Sequence, residues 1–138
     1  MSFTKISDIN INNDSRSFVI AYNFNAKELS VIKIICNLLG IKDIEILTKS
    51  NSNSIIKDII NNKLDHSEKE GLNQKSLIFN NIESIKVSSF IDNMKKFRIS
   101  RPLIAFVTEN NINWTLNTLV SHLLEERNAL KSGKTIKH

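Results

Sequence analysis

The sequence of 138 residues contains one cysteine, one proline and three glycines, and each shortage excludes a class of protein. A single cysteine, Cys36, can form no internal disulfide and supports no dithiol chemistry. Glycine occurs only at Gly40, Gly71 and Gly133, so the glycine-rich loops that bind nucleotide phosphates are missing. The glycine-flanked elbow that carries the nucleophile of many serine hydrolases is missing for the same reason.

Long apolar runs and metal-binding patterns are also missing. No run approaches the roughly 18 apolar residues that a membrane span requires. The first ten residues lack the basic segment and apolar core of a secretory signal, so we expect a cytoplasmic protein that does not contact membranes. The three histidines, His66, His122 and His138, share no ligand spacing, and we therefore expect neither a metal nor a cofactor.

Positive charge is concentrated in the last third of the chain. Residues 1–94 are balanced in charge, and residues 95–138 carry the entire net charge of +5. This pattern predicts an anionic partner such as nucleic acid or, alternatively, a solvated helix end followed by a frayed tail. The cations concerned are Lys95, Lys96, Arg98 and Arg101 in one stretch, and Arg127, Lys131, Lys134 and Lys137 in the C-terminal tail.

Strand and helix patterns alternate four times along the chain. A strand pattern at 17–24 is followed by a helical stripe that begins after Asn25, has Glu28 placed for a capping box, and ends at Gly40. A strand at 44–47 and a short helix with Ile55, Ile56, Ile59 and Ile60 on one face follow. Residues 63–75 are polar and indicate a surface loop.

The second half repeats the unit with stronger patterns. A strand at 76–80 precedes a helix that Ser84 is placed to cap. Pro102 ends that segment, and a continuous apolar run at 103–108 is typical of a buried strand. The last helix is apolar on one side. The predicted helical faces are Val87, Phe90, Ile91, Met94 and Phe97, and then Leu116, Leu119, Val120, Leu123 and Leu124.

These patterns predict an α/β fold with one domain and a four-stranded sheet. The sheet is expected to be largely parallel, with a mixed sheet as the alternative, in the order 2-1-3-4. We expect an irregular lead-in at 1–16, the domain at 17–127 and a basic tail at 128–138.

Polar side chains follow three of the four predicted strands. If the sheet is parallel, Asn25, Asn80, Thr108 and Asn111 meet at one edge, together with Trp114, and bind a small polar ligand or a protein partner. The alternative is that these asparagines only cap helices, with Asn111 or Asn113 capping the last helix and Trp114 anchoring its first turn.

The stretch "PLIAFVTENNINWTLNTLVSHLLEE" resembles the hallmark of a family of small bacterial proteins described only as a domain of unknown function. The hallmark positions are Pro102, Thr108, Asn111 and Trp114, and Glu109 stands where that family tends to have proline. The resemblance covers residues 77–127. It implies no activity, substrate or cofactor, but it implies that Asn111 and Trp114 are the candidates for a site.

Three hypotheses of function follow. The first is a non-catalytic binding or regulatory module that uses the strand-end face around Asn111 and Trp114. The second is nucleic-acid binding through Lys95, Lys96, Arg98 and Arg101 and the tail. The third is an enzyme of unrecognised type, for which these patterns supply no nucleophile, base or metal ligands. The oligomeric state is left open.

Overall fold

The computed structural model describes residues 16–132, so nearly all of the predicted lead-in and residues 133–138 of the predicted tail, with Lys134 and Lys137, lie outside the described residues. The strands are β1 (Phe18–Tyr22), β2 (Ile44–Leu47), β3 (Ser76–Asn80) and β4 (Leu103–Phe106). The helices are α1 (Ala26–Leu39), α2 (Ile56–Ile60), α3 (Ser84–Lys96) and α4 (Leu116–Ser132), and a short 3-10 helix lies at Lys49–Asn51.

The four strands form one sheet in the order β2-β1-β3-β4, which confirms the predicted order. The sheet is mixed. β1 is parallel to β2 and β3 is parallel to β4, but β1 and β3 are antiparallel, with Ile20 opposite Ile78. The carboxyl ends of the first two strands therefore lie at the opposite end of the sheet from those of the last two.

Helices cover both faces of the sheet, and each face has its own apolar core. The two central strands, β1 and β3, are completely buried, because each of their faces packs against helices. On one face α1 and α3 pack against Val19, Leu77 and Phe79. On the other face α2 and the first half of α4 pack against Ile20 and Ile78. The result is a three-layer α/β/α arrangement with the strongest burial in the middle strands.

The ends of α1 confirm the predicted capping signals. The Glu28 amide donates to Asn25 Oδ1 at 2.8 Å, and the Asn25 amide donates to Glu28 Oε1 at 3.0 Å, which completes the capping box. Gly40 ends the helix in the left-handed region at φ 75°, where a side chain would be strained. Cys36 is buried in this helix, and burial raises its pKa to about 12.

The structure differs from the sequence patterns in four places. Glu83, rather than Ser84, occupies the N-cap of α3. The helix ends at Lys96, so Phe97 leaves the buried face and is 41% exposed. β4 is an edge strand, so Phe106 is likewise 41% exposed instead of buried. α4 continues to Ser132, so the first part of the predicted tail is helical.

Candidate functional site

The antiparallel pairing of β1 with β3 divides the predicted strand-end face in two. Asn25 follows β1 and lies at the end of the sheet where β3 begins. Asn80, Thr108 and Asn111 follow β3 and β4 at the other end, which we call the asparagine end. The structure therefore brings together the candidates of the second half of the chain but not Asn25.

Asn111 is the centre of a tight turn directly after β4. Its side chain is almost buried, at 8% exposure, and makes hydrogen bonds with both of its polar atoms. Oδ1 accepts from the Thr108 amide at 2.8 Å, and Nδ2 donates to the Phe106 carbonyl at 3.0 Å. The Asn111 amide donates to Thr108 Oγ1 at 3.3 Å. These bonds close the turn and leave Asn111 little free capacity for a ligand.

The predicted capping of the last helix by Asn111 or Asn113 is wrong. The side chain of Thr115 has that role, because its Oγ1 accepts from the Thr118 amide at 3.1 Å. A four-residue turn separates Asn111 from the helix. Sequence reasoning could not distinguish the two arrangements, since an asparagine is equally common in a turn and at a helix start.

The other two candidate asparagines also have partners within the chain. Asn80 is buried, and its Nδ2 donates to the Arg16 carbonyl at 2.7 Å, which holds the segment that leads into β1 against the end of β3. Asn25 is used by the capping box. Each side chain thus has a structural role that accounts for its residue type.

Trp114 is half-buried and joins two parts of the fold. Its ring packs against the core that contains α2 and α4, and its carbonyl accepts from the Ile56 amide at 2.9 Å. The ring centroid lies 4.5 Å from that of His122, an exposed residue on α4. The predicted anchoring role agrees with this packing, and one side of the stacked pair remains at the surface.

The opposite end of the sheet collects the cations that the sequence places far apart. Because β3 and β4 are parallel, α3 must return to the end where β4 begins, and this end we call the basic end. Arg127 of α4 reaches the same end, where its Nη2 donates to the Arg101 carbonyl at 3.3 Å. We define the basic surface as Lys95, Lys96, Arg98, Arg101, Arg127 and Lys131; all are exposed except Arg127, which is half-buried.

A groove of about 460 Å³ runs along the basic end between β4 and α4. It is lined by Arg101, Arg127 and Lys131 together with one carboxylate, Glu126. Its apolar lining includes Leu130, which is 58% exposed. The groove is open to solvent along its length and therefore suits an extended partner better than an enclosed small molecule.

No cation of the basic surface has a carboxylate partner within residues 16–132. Four carboxylates elsewhere in the described chain are paired with cations, namely Glu28, Asp43, Glu45 and Glu70. Arg16 contacts Asp43 at 2.8 Å and Glu45 at 3.2 Å, and the hydrogen bond that Arg16 donates to Asp43 is the largest of the causes that raise the pKa of Arg16. The basic surface is thus a region where positive charge is gathered and left unneutralised.

Arg98 has an unusual backbone conformation at this surface. Its φ is 61°, in the left-handed region, in the turn where the Ile99 amide donates to the Met94 carbonyl and ends α3. The other non-glycine residues with positive φ in the described chain are all asparagines, namely Asn23, Asn62 and Asn81. An arginine at such a position costs roughly 1 kcal/mol relative to glycine.

Residues 75–130 match the model of a family described as Domain of unknown function (DUF3783). The matched segment runs from the start of β3 into the second half of α4 and contains Asn111, Trp114 and all of the basic surface except Lys131. This finding confirms the predicted resemblance to a family without an assigned role. No curated protein and no solved structure matches the chain.

Residues 16–132 contain neither a membrane-spanning helix nor a cluster of metal ligands. No helix in this range is long and apolar enough to cross a membrane. No group of three or more histidine, cysteine, aspartate or glutamate side chains in the same range is placed to hold a metal ion.

Proposed function

We propose that this chain is a non-catalytic binding module and that its basic surface binds nucleic acid. The observation that carries the proposal is the gathering of six cations from two helices and a connecting loop, none with a carboxylate partner in the described chain. Cations without partners keep their full interaction with phosphate groups, and their mutual repulsion is relieved when a polyanion binds.

The arrangement of the cations favours a polyanion over a small anion. They are spread along the end of α3, the loop before β4 and the end of α4, and three of them line an open groove. A single small anion reaches one or two of these side chains. A nucleic-acid backbone presents phosphates at regular intervals and contacts most of them at once.

The test measures binding of labelled oligonucleotides, one single-stranded and one duplex, by fluorescence anisotropy over a range of salt concentrations. We expect the logarithm of the association constant to fall linearly with the logarithm of the salt concentration. The variant K95Q/K96Q/R101Q removes three contacts, so the salt slope should decrease by about 2 and the affinity by at least about tenfold.

The control variant K27Q/K33Q/K57Q removes the same charge from exposed positions on α1 and α2. This control has the same net charge as K95Q/K96Q/R101Q, and its affinity should be within about twofold of that of the unmodified chain. Equal losses in the two variants, or no salt-dependent binding to either oligonucleotide, would contradict the proposal.

The surface around Trp114 is a second candidate, for the small polar ligand or protein partner predicted from the sequence. The observation in its favour is the stacked pair of Trp114 and exposed His122, beside the turn held by Asn111. Native mass spectrometry of the chain purified under mild conditions should find a bound species that is lost from W114L. If W114L and the unmodified chain carry the same species, or none, this surface has only a packing role.

A further inference from the structure

An aromatic ring lies in the middle of the basic surface. Phe97 is 41% exposed and stands between Lys96 and Arg98 at the C-cap of α3. The residues one and two turns earlier on its helix, Met94 and Phe90, are buried in the core. Within the described chain, the ring of Phe97 packs on no other aromatic ring. A large apolar side chain is therefore partly exposed to water, with a cation on either side of it in the sequence.

The turn that ends α3 exposes Phe97 and Arg98 together. The Phe97 amide still donates to the Asn93 carbonyl at 3.0 Å, and the Arg98 amide donates to the Lys95 carbonyl at 3.0 Å, so the backbone at both residues is fixed. The left-handed conformation at Arg98 would be relaxed in glycine or asparagine. Strain retained at an exposed charged residue beside an exposed ring indicates that both side chains serve an interaction.

Exposed rings among cations are the chemistry by which proteins hold single-stranded nucleic acid. Cations contact the phosphates, and a base stacks on the ring, which any base can do. In a duplex the faces of the bases are stacked on one another, so a ring at the protein surface cannot reach them. The cations alone would bind either form, whereas the ring distinguishes them.

We propose that the basic surface binds single-stranded nucleic acid, with Phe97 as the platform on which a base stacks. This inference rests on the proposed function and gives it a substrate class. The phosphates on either side of the stacked base contact cations drawn from Lys95, Lys96, Arg98 and Arg101, and the strand continues towards Arg127 in the groove beside α4.

The experiment compares binding of a labelled oligouridylate of about twelve nucleotides and of a duplex RNA of the same length, by fluorescence anisotropy at roughly 0.1 M salt. The variant F97L keeps an apolar side chain but removes the stacking face. We expect its affinity for the single strand to fall about tenfold and its affinity for the duplex to change by less than about twofold. The variant F97Y keeps the ring and should bind the single strand as the unmodified chain does.

The chain offers a matched control in F106L. Phe106 is exposed to the same fraction, 41%, but lies at the asparagine end and contacts Phe79 with ring centroids 6.3 Å apart. The F106L variant should bind both probes as the unmodified chain does. Circular dichroism and thermal melting of each variant establish that a loss of binding is not a loss of folding.

The possible outcomes separate the two proposals. In one outcome, F97L binds the single strand as tightly as the unmodified chain, whereas K95Q/K96Q/R101Q binds it more weakly. This result overturns the stacking inference and leaves the proposed function intact. Equal weakening of single-strand and duplex binding in F97L also overturns it, because stacking would affect the single strand alone. No binding of either probe by the unmodified chain overturns both.

Discussion

The two ends of the sheet use polar residues in opposite ways. At the asparagine end, Asn80 and Asn111 are buried, and their side-chain hydrogen bonds are made to the chain's own backbone. At the basic end, the six cations of the basic surface have no carboxylate partners in the described residues, and all of them except Arg127 are exposed. A polar group whose partners are internal stabilises the fold, whereas one left without partners is available to another molecule.

Because of this difference, the cations of the basic surface are a better candidate for function than the asparagines and Trp114. The asparagines and Trp114 form the more distinctive pattern in the sequence, but their geometry is explained by turns, caps and packing. The cations form a commonplace pattern, and the fold gathers them and leaves them unneutralised. Substitutions at the two ends should therefore affect different properties, stability at one end and binding at the other.

The largest expected effect is that of N111A at the asparagine end. It removes the bonds to the Thr108 amide and the Phe106 carbonyl, and we expect the free energy of unfolding to fall by about 2 kcal/mol. Urea denaturation measures this change. The neighbouring N110A removes an exposed side chain and should be neutral. A neutral N111A would mean that the turn does not depend on Asn111, and the comparison of the two ends would fail.

An effect of opposite sign is expected at the basic end from R98G. Glycine relieves the left-handed strain, so the variant should be more stable by roughly 1 kcal/mol while binding nucleic acid more weakly. R98K keeps both the charge and the strain, and should leave stability unchanged and binding nearly so. If R98G were destabilising, the guanidinium would be supporting the fold, and the contrast between the ends would be weakened.

The smallest effect concerns a cation near the basic end that does have a carboxylate partner. Lys75, directly before β3, contacts Glu28 Oε2 at 2.6 Å. Burial alone would raise the pKa of Glu28, but the hydrogen bonds from Lys75 and the Asn25 backbone and the charge of Lys75 outweigh it and lower the pKa below its ordinary value of 4.5.

A carboxyl with a lowered pKa in the folded state stabilises the fold above its unfolded-state value, and this contribution is lost as the pH falls through the folded value. E28Q should therefore be less stable than the unmodified chain at neutral pH, by less than about 1 kcal/mol. The difference should shrink as the pH is lowered below 4.5. Denaturation curves at a series of pH values measure it, and a difference that is constant with pH would contradict the assigned cause.

Much of the fold is contained in local signals of the sequence. Asn25, Glu28 and Gly40 fix both ends of α1 through chemistry that acts within a few residues, and the alternation of patterns gives the number and order of the strands. The direction of β3 relative to β1 is not local. The long connection between β2 and β3 contains the 3-10 helix at Lys49–Asn51 and the short helix α2, and such a connection can bring the chain back in either direction.

The candidate site was predicted in its residues but not in its geometry. Lys95, Lys96, Arg98 and Arg101 are adjacent in the sequence, so their clustering is visible there, whereas the contact of Arg127 with Arg101 depends on the return of α4. Phe97 continues the apolar spacing of its helix and is predicted to be buried. The spacing of apolar residues implies burial only while the helix continues, and α3 ends at Lys96, one residue before Phe97.

The position of β1 has a consequence for how the chain folds and how its parts depend on each other. The segment 75–130 that matches the family contains β3 and β4, but the partner of β3 along its whole length, β1, comes from the beginning of the chain. Without residues 18–60, β3 would lose its partner β1 along its whole length, and the apolar side of α4 would lose its contacts with β1 and α2. The matched segment is therefore one part of a shared packed core, and we expect neither part to be stable until both have been synthesised.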